Sequence, residues 1–372
     1  MHPKIIQLTL SSVISFILSI LIIPIIIKIA KKKNLVDMPN HRTSHSTPTP
    51  TFGGIGIFIS FLVVVFAFIP VIGVAQIQFL LATLIILFIT GVRDDLKEIK
   101  ASTKFTIQFI AAFFLAHSGI RIESLCGILG IYTIPVSIQY IITIIVITGT
   151  TNAVNLIDGI DGLAGGIGFI NACIFGILFS LRGEYVFGII SLSLAGAILG
   201  FLKYNFNPAK IFMGDTGSLI IGFLLSIIGI KYLQNSYVEN PNKLILVFGI
   251  LILPIFDTLR VFAIRLSKKK SPFSADKNHI HHLLIKTGYD HKISAIVMYT
   301  ANLIIIACSF LLYYLKIQIN ISIVLIFSLT VALSELLTLK RMLHLKKKVD
   351  DMLSKKKASQ TQNQLLTKLN QS

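Results

Sequence analysis

Apolar runs of about twenty residues recur along almost the whole chain, broken by short stretches rich in lysine, glycine and proline. Coiled as helices, such runs match the hydrocarbon thickness of a bilayer. They fall at about 4–30, 53–72, 76–92, 105–118, 136–152, 163–181, 185–202, 217–232, 244–264, 293–315 and 320–339. A segment in lipid must satisfy its own backbone hydrogen bonds, and no alternating ten-residue pattern suggests a barrel, so helices are expected. The first run is too long for a signal-peptide core and ends in Lys31, Lys32 and Lys33 without a small-residue cleavage pattern, so it reads as a retained span. Between 119 and 135, Gly127, Gly130 and Pro135 predict a hairpin or a re-entrant piece. The expected fold is an all-α polytopic integral membrane protein of about eleven transmembrane helices. Residues 1–340 would form one bundle and 341–372 a basic tail, where Leu345, Val349 and Met352 suggest an amphipathic surface helix.

Composition agrees. Only 13% of the 372 residues are charged, about half the share of a soluble domain, and the mean hydropathy is +0.82. A net charge of +18 would suit a nucleic-acid binder, but the distribution of the positive residues argues otherwise. Lys31 to Lys33, Arg42, Arg93, Lys97, Lys100, Lys104, Lys203, Lys210, Arg265 and Lys268 to Lys270 lie in loops of one parity, as does the tail from Lys340. The opposite loops hold scattered charges such as Arg121, Arg182 and Lys243. The positive-inside rule then gives an external N-terminus and a cytoplasmic C-terminus, with membrane lipids and not nucleic acid as the partner of the basic face. Cys126, Cys173 and Cys308 share no metal or disulfide spacing and read as small hydrophobes.

The acids are distributed just as unevenly. Asp37, Asp94, Asp95, Glu98, Asp158, Asp161, Asp215, Asp257, Asp276 and Asp290 all fall in the basic loops or at the span ends beside them. A carboxylate close to hydrocarbon needs a partner or a task. Adjacent Asp94 and Asp95 repel one another, which a divalent cation would relieve, and Lys104 follows at the mouth of the next span. Asn152, Asn155 and Asp158 recur at intervals of three, on one side of a helix end, before Gly159, Asp161 and Gly162. Asp215, between Gly214 and Gly217, suits either the cap of the next helix or a hard oxygen ligand for magnesium. In the largest basic loop, Asp276-Lys277 precedes His279, His281 and His282, which suit hydrogen bonding to phosphate oxygens better than structural zinc.

Taken in order from Asp37 to His282, these stretches resemble the polyprenyl-phosphate N-acetylhexosamine-1-phosphate transferases, glycosyltransferase family 4, which have eleven spans. The spacing His-Ile-His-His is more similar to the bacterial undecaprenyl-phosphate GlcNAc-1-phosphate branch than to the phospho-MurNAc-pentapeptide branch. The resemblance implies catalytic Asp94 and Asp95, and metal ligands Asn155 and Asp215 for Mg2+, with Mn2+ as a substitute. It implies nucleotide-sugar or phosphate contacts at Lys104, Asn152, Asp158, Asp161, His279, His281 and His282. Relatives often carry Asp-Arg where this chain has Asp276-Lys277; lysine keeps the charge but not the bidentate fork.

The expected reaction joins N-acetylhexosamine 1-phosphate, GlcNAc-1-phosphate foremost, from a UDP-sugar to undecaprenyl phosphate. UMP leaves, and the lipid-diphosphate sugar starts a cell-envelope polysaccharide. This work belongs at the cytoplasmic face of a bacterial inner membrane, by a multi-pass protein for which a homodimer is one option. A phospho-MurNAc-pentapeptide transferase is the neighbouring alternative. A transporter would place its acids near mid-membrane, and an aromatic prenyltransferase would leave the histidine loop idle. Topology is directly testable. Reporters fused after Lys268 and at the C-terminus should report cytoplasm, and one near Glu239 the external side; a cytoplasmic signal at Glu239 would break the eleven-span reading.

Overall fold

The computed structural model describes residues 3–37, 48–71, 74–234, 242–271 and 278–337. Glu239, Asp276, Lys277, the stretch with His41, Arg42 and His45, and the tail beyond 340 lie outside the described residues. The helices are α1 Pro3–Lys32, α2 Gly53–Phe68, α3 Ala75–Leu96, α4 Ala101–His117, α5 Val136–Ile157 and α6 Leu163–Leu181. They continue with α7 Tyr185–Asn205, α8 Gly214–Leu233, α9 Lys243–Ser267, the short α10 Ile280–Lys286, α11 His291–Tyr314 and α12 Ile319–Leu337. Leaving α10 aside, each of the eleven apolar segments corresponds to one helix among the described residues. Nine of these are long and apolar enough to cross a membrane. The other two, α2 and α4, have 16 and 17 residues. Between α4 and α5 the chain makes an antiparallel hairpin of β1 Ser124–Ile128 and β2 Ile131–Thr133, one of the two forms expected there.

Burial identifies the centre of the bundle. In the apolar window of α8, 89% of residues are buried, against 22% in α1 and 28% in α12, so α8 is the axial helix and those two are peripheral. Around α8 stand α2, α3, α5 and α6, and the most extensive helix pair is α1 with α7. That pair depends on close backbone approach. A Cβ on Gly196 would strike the Ser12 carbonyl oxygen, and Ser19 donates its hydroxyl to the Ala197 carbonyl at 2.8 Å. Small residues that let backbones meet are a main source of helix association in lipid, where burying apolar surface gains little. Between α6 and α11, Asn302 donates its amide to Asn171 Oδ1 at 2.9 Å, and both residues are fully buried.

Several helices run past the end of their apolar run. Helix α3 continues to Leu96 and so carries Asp94 and Asp95 in its last turn, while α5 continues to Ile157 and carries Asn152 and Asn155. Helix α8 starts at Gly214, which puts Asp215 in its first turn. The ends of α3 and α5 therefore meet the starts of α4, α6 and α8 at one end of the bundle. Replacing Gly196 by Val should lower the thermal stability of the detergent-solubilised protein by about 1–3 kcal/mol, the usual cost of overpacking. The control is Gly149→Ala, where a Cβ meets nothing within 4 Å and melting should hardly change.

Candidate active site

The site grows from one helix terminus. The first amides of α8 have no partner within their own helix, and Met213, at the cap position, makes no side-chain cap. Asp95 supplies it from α3. Its Oδ1 accepts from the Asp215 amide at 2.7 Å, and its Oδ2 accepts from the Thr216 amide at 3.2 Å and the Thr216 hydroxyl at 2.6 Å. A carboxylate at a helix N-terminus also meets the positive end of the helix dipole. Of the two roles open to Asp215, the cap thus belongs to Asp95, and the Asp215 carboxylate is left to face elsewhere.

It faces Lys104. The Lys104 ammonium donates to Asp215 Oδ2 at 2.6 Å and pairs with Asp94 Oδ2. The other oxygen of Asp94 accepts from the Ile99 amide at 2.8 Å, which anchors the turn into α4. From α5, the Asn155 amide donates to Asp215 Oδ1 at 3.1 Å and to the Ser218 hydroxyl at 2.8 Å. Four helices therefore converge on Asp215. Asn152 stands apart, because its amide is committed to Gln108 Oε1 of α4 at 2.5 Å and to the Thr148 carbonyl.

The turn after α5 joins this cluster to the histidines. Asp158 follows the last residue of α5, and its surroundings raise its pKa to about 7, first by withdrawal from water and then by the charges of Asp215, Asp95 and Asp161. At Gly159 any Cβ would strike Nε2 of His281, so the absence of a side chain there is what lets α10 dock. Asp161 is fully engaged: Oδ1 lies 3.1 Å from His291 Nδ1 and Oδ2 accepts from the Ala209 amide at 3.0 Å.

The histidine segment is anchored from α9 by a residue that no motif singled out. Asp257, fully buried, accepts from His279 Nδ1 at 2.9 Å and from the Ile280 amide at 3.0 Å, while Arg260 donates to the Asn278 carbonyl at 2.6 Å. A lone carboxylate in an apolar helix, with arginine three residues on, was the signal available. His281 has neither ring nitrogen hydrogen-bonded although the residue is only 1% exposed. Burial, and then the neighbouring His282, lowers its pKa to about 3, so the ring is neutral. A neutral imidazole offers one donor and one acceptor. The ring of His282 stacks obliquely on that of His281, with centroids 4.3 Å apart.

Chemically, the cluster pairs a cation with carboxylates at one end of the bundle, where an anionic reactant can arrive. Among the described residues no three His, Cys, Asp or Glu side chains are grouped to hold a metal by themselves. The donors present, carboxylates beside an amide, fit magnesium shared with phosphate oxygens and water better than a caged transition metal. The Asp95 cap can be tested first. Asp95→Ala strands three donors and should cost about 1–3 kcal/mol of thermal stability, and Thr216→Val should cost less. Equal melting of Asp95→Ala and wild type in detergent would remove the capping role.

Known proteins resemble the chain over most of its length. Residues 77–233, which span α3 through α8, match the family described as glycosyl transferase family 4. Over 312 residues the chain is 31% identical to the probable undecaprenyl-phosphate N-acetylglucosaminyl 1-phosphate transferase of Bacillus subtilis, covering 82% of this chain and 84% of that protein. It is 34% identical over 287 residues to the undecaprenyl-phosphate alpha-N-acetylglucosaminyl 1-phosphate transferase of Haemophilus influenzae, covering 75% and 79%. With the decaprenyl-phosphate N-acetylglucosaminephosphotransferase of Mycobacterium leprae it shares 32% over 301 residues, covering 73% and 75%. Similarity of this degree, over most of each chain, means that the protein belongs to glycosyl transferase family 4.

Proposed function

We propose that the protein transfers N-acetylglucosamine 1-phosphate from UDP-N-acetylglucosamine to undecaprenyl phosphate, at the cytoplasmic face of a bacterial inner membrane. The observation that carries the reading is the Lys104 ammonium held between Asp94 and Asp215, in a chain whose relatives are named for this transfer. A phosphate oxygen of the lipid attacks the sugar-bound phosphorus of the donor. That P–O bond forms as the bond to UMP breaks, and a lipid diphosphate sugar and UMP result.

Two anions must approach, so the chain's main task is to neutralise and position them. Lys104 supplies a cation at the point of approach. Asp94, on the same ammonium, removes the remaining proton when the lipid phosphate arrives as a monoanion. Asp215 and the Asn155 side chain would hold magnesium together with donor phosphate oxygens, and the ion, when bound, supplies Lewis-acid charge neutralisation. Asp95 works through α8, by keeping the first turn and Asp215 in place. The neutral His281 ring, already desolvated, donates a hydrogen bond to a phosphate or sugar oxygen, with His282 beside it. Asp158 and Asp161 border the nucleotide, and in this arrangement Asn152 serves by fixing α5 against α4.

Incubating membranes with labelled UDP-N-acetylglucosamine and undecaprenyl phosphate should yield UMP and labelled lipid in a magnesium-dependent way. Asp215→Ala should abolish turnover while leaving the protein folded in detergent, because it removes a ligand and leaves the Asp95 cap intact. His281→Ala should lose roughly tenfold to a hundredfold in kcat/KM, the scale of one hydrogen bond to a charged group. Full activity in excess chelator, or no labelled lipid from the wild type, would overturn the reading.

A further inference from the structure

A cavity lies beside the first span, apart from the site described above. It has a volume of about 350 Å³ and opens between the last turns of α1 and the connection from α7 to α8. That volume is at the lower end of small-ligand sites. Its walls are of two kinds. Pro24, Ile27 and Lys31 line it from one side of α1, at intervals of three and four residues, and Tyr204 and Lys210 line it from the other. Pro48 and Thr49, ahead of α2, complete the lining, and Thr49 is bridged through its backbone to Asp37, so the two lysines face one nearby acidic residue. The apolar wall is Pro24 and Ile27, and the cationic rim is Lys31 and Lys210. Both lysines are exposed, and among the described residues neither side chain has an ion pair or a hydrogen bond. Next to the cavity the outward side of α1 is bare: Leu21 and Ile25 are more than half exposed, as lipid-facing residues are. The cavity therefore sits where an apolar span gives way to Lys31, Lys32 and Lys33, at the depth of lipid headgroups.

We propose that this cavity binds the headgroup of an anionic phospholipid. Its phosphodiester would lie between Lys31 and Lys210, and its glycerol and upper acyl carbons against Pro24, Ile27 and the Tyr204 ring. Charge and polarity both select this occupant. A zwitterionic headgroup would bring its own cation to the lysine rim, and a free phosphate would leave the apolar wall unused. The acceptor lipid of the proposed transfer has its cationic partner elsewhere, at Lys104.

Occupancy also has a structural route to the active site. Ala209 lines the cavity, and its amide is the donor to Asp161 Oδ2. The Lys210 amide donates to the Tyr204 carbonyl at 2.8 Å, and Asn205 bridges the Ile211 carbonyl and the Gly162 amide. A headgroup clamped by Lys210 steadies the turn that holds Asp161 and Gly162. Binding itself does not depend on the proposed reaction, so the test reads binding first.

The full-length protein, released from detergent, is examined by native mass spectrometry with phosphatidylglycerol or phosphatidylcholine added. Wild type should retain phosphatidylglycerol about tenfold better, and the double variant Lys31→Gln/Lys210→Gln should lose most of that preference. Lys268→Gln/Lys269→Gln, which removes two lysines beyond α9, should keep it. Ile27→Trp fills the cavity without changing charge and should also lose the preference, so the result does not rest on one variant. Melting temperatures establish that each variant is folded. The proposal falls if both cavity variants retain phosphatidylglycerol as wild type does. It falls equally if millimolar inorganic phosphate displaces the lipid, or if the Lys268 and Lys269 control loses as much. Turnover of the wild type in phosphatidylglycerol nanodiscs should exceed that in phosphatidylcholine, by a margin that the double variant loses.

Discussion

A carboxylate at the edge of hydrocarbon is tolerated only when its oxygens are occupied, and that demand organises one end of this bundle. Asp95 gives both oxygens to the start of α8, Asp161 to His291 and the Ala209 amide, and Asp257 to His279 and the Ile280 amide. Asp94 and Asp215 share the Lys104 ammonium. Most of these bonds join elements distant in sequence, the Asp94–Lys104 pair between consecutive helices being the exception, so satisfying the acids is also what assembles the site. Asp158 is the contrast: it has three acidic neighbours and a pKa raised to about 7.

The axial helix converts this local chemistry into architecture. Because α8 is buried along nearly its whole length, its first turn is fixed by the packing of α2, α3, α5 and α6. Asp215 is thus held from behind by the Asp95 cap and in front by Lys104 and Asn155. A side chain restrained on both sides loses little freedom when a substrate or an ion arrives, which is the physical content of preorganisation. The histidine segment is restrained differently, by the buried Asp257 carboxylate and Arg260 on α9 and by the missing side chain at Gly159.

Much of this was legible in the sequence, for identifiable reasons. A span of twenty apolar residues has few alternatives in lipid, so the eleven segments were readable, and the gathering of Asp94, Asp215 and Asn155 could be anticipated from acids crowding one set of loops. The end of α3 was not readable, whereas the spacing of Asn152, Asn155 and Asp158 did mark the helical end of α5. A polar residue ends an apolar run without ending a helix, since the backbone still prefers its own carbonyls, so α3 runs on through Asp95 to Leu96. Nor was the use of each acid readable. Asp95 looks like half of a repelling pair until Thr216, 121 positions away, is brought to it. Asp257 carries no motif at all, and its importance follows only from the chain returning to it at His279.

That return has a consequence for how the protein can vary. The chain leaves α9 at Ser267 and is caught again by the Arg260 bond to the Asn278 carbonyl and the two bonds to Asp257. Both ends of the excursion are pinned to the same helix, and the entropy of closing a loop grows only as the logarithm of its residue number. The position of the His281 imidazole is thus set by contacts on α9 and at Gly159 that lie outside the connection between Lys268 and Lys277.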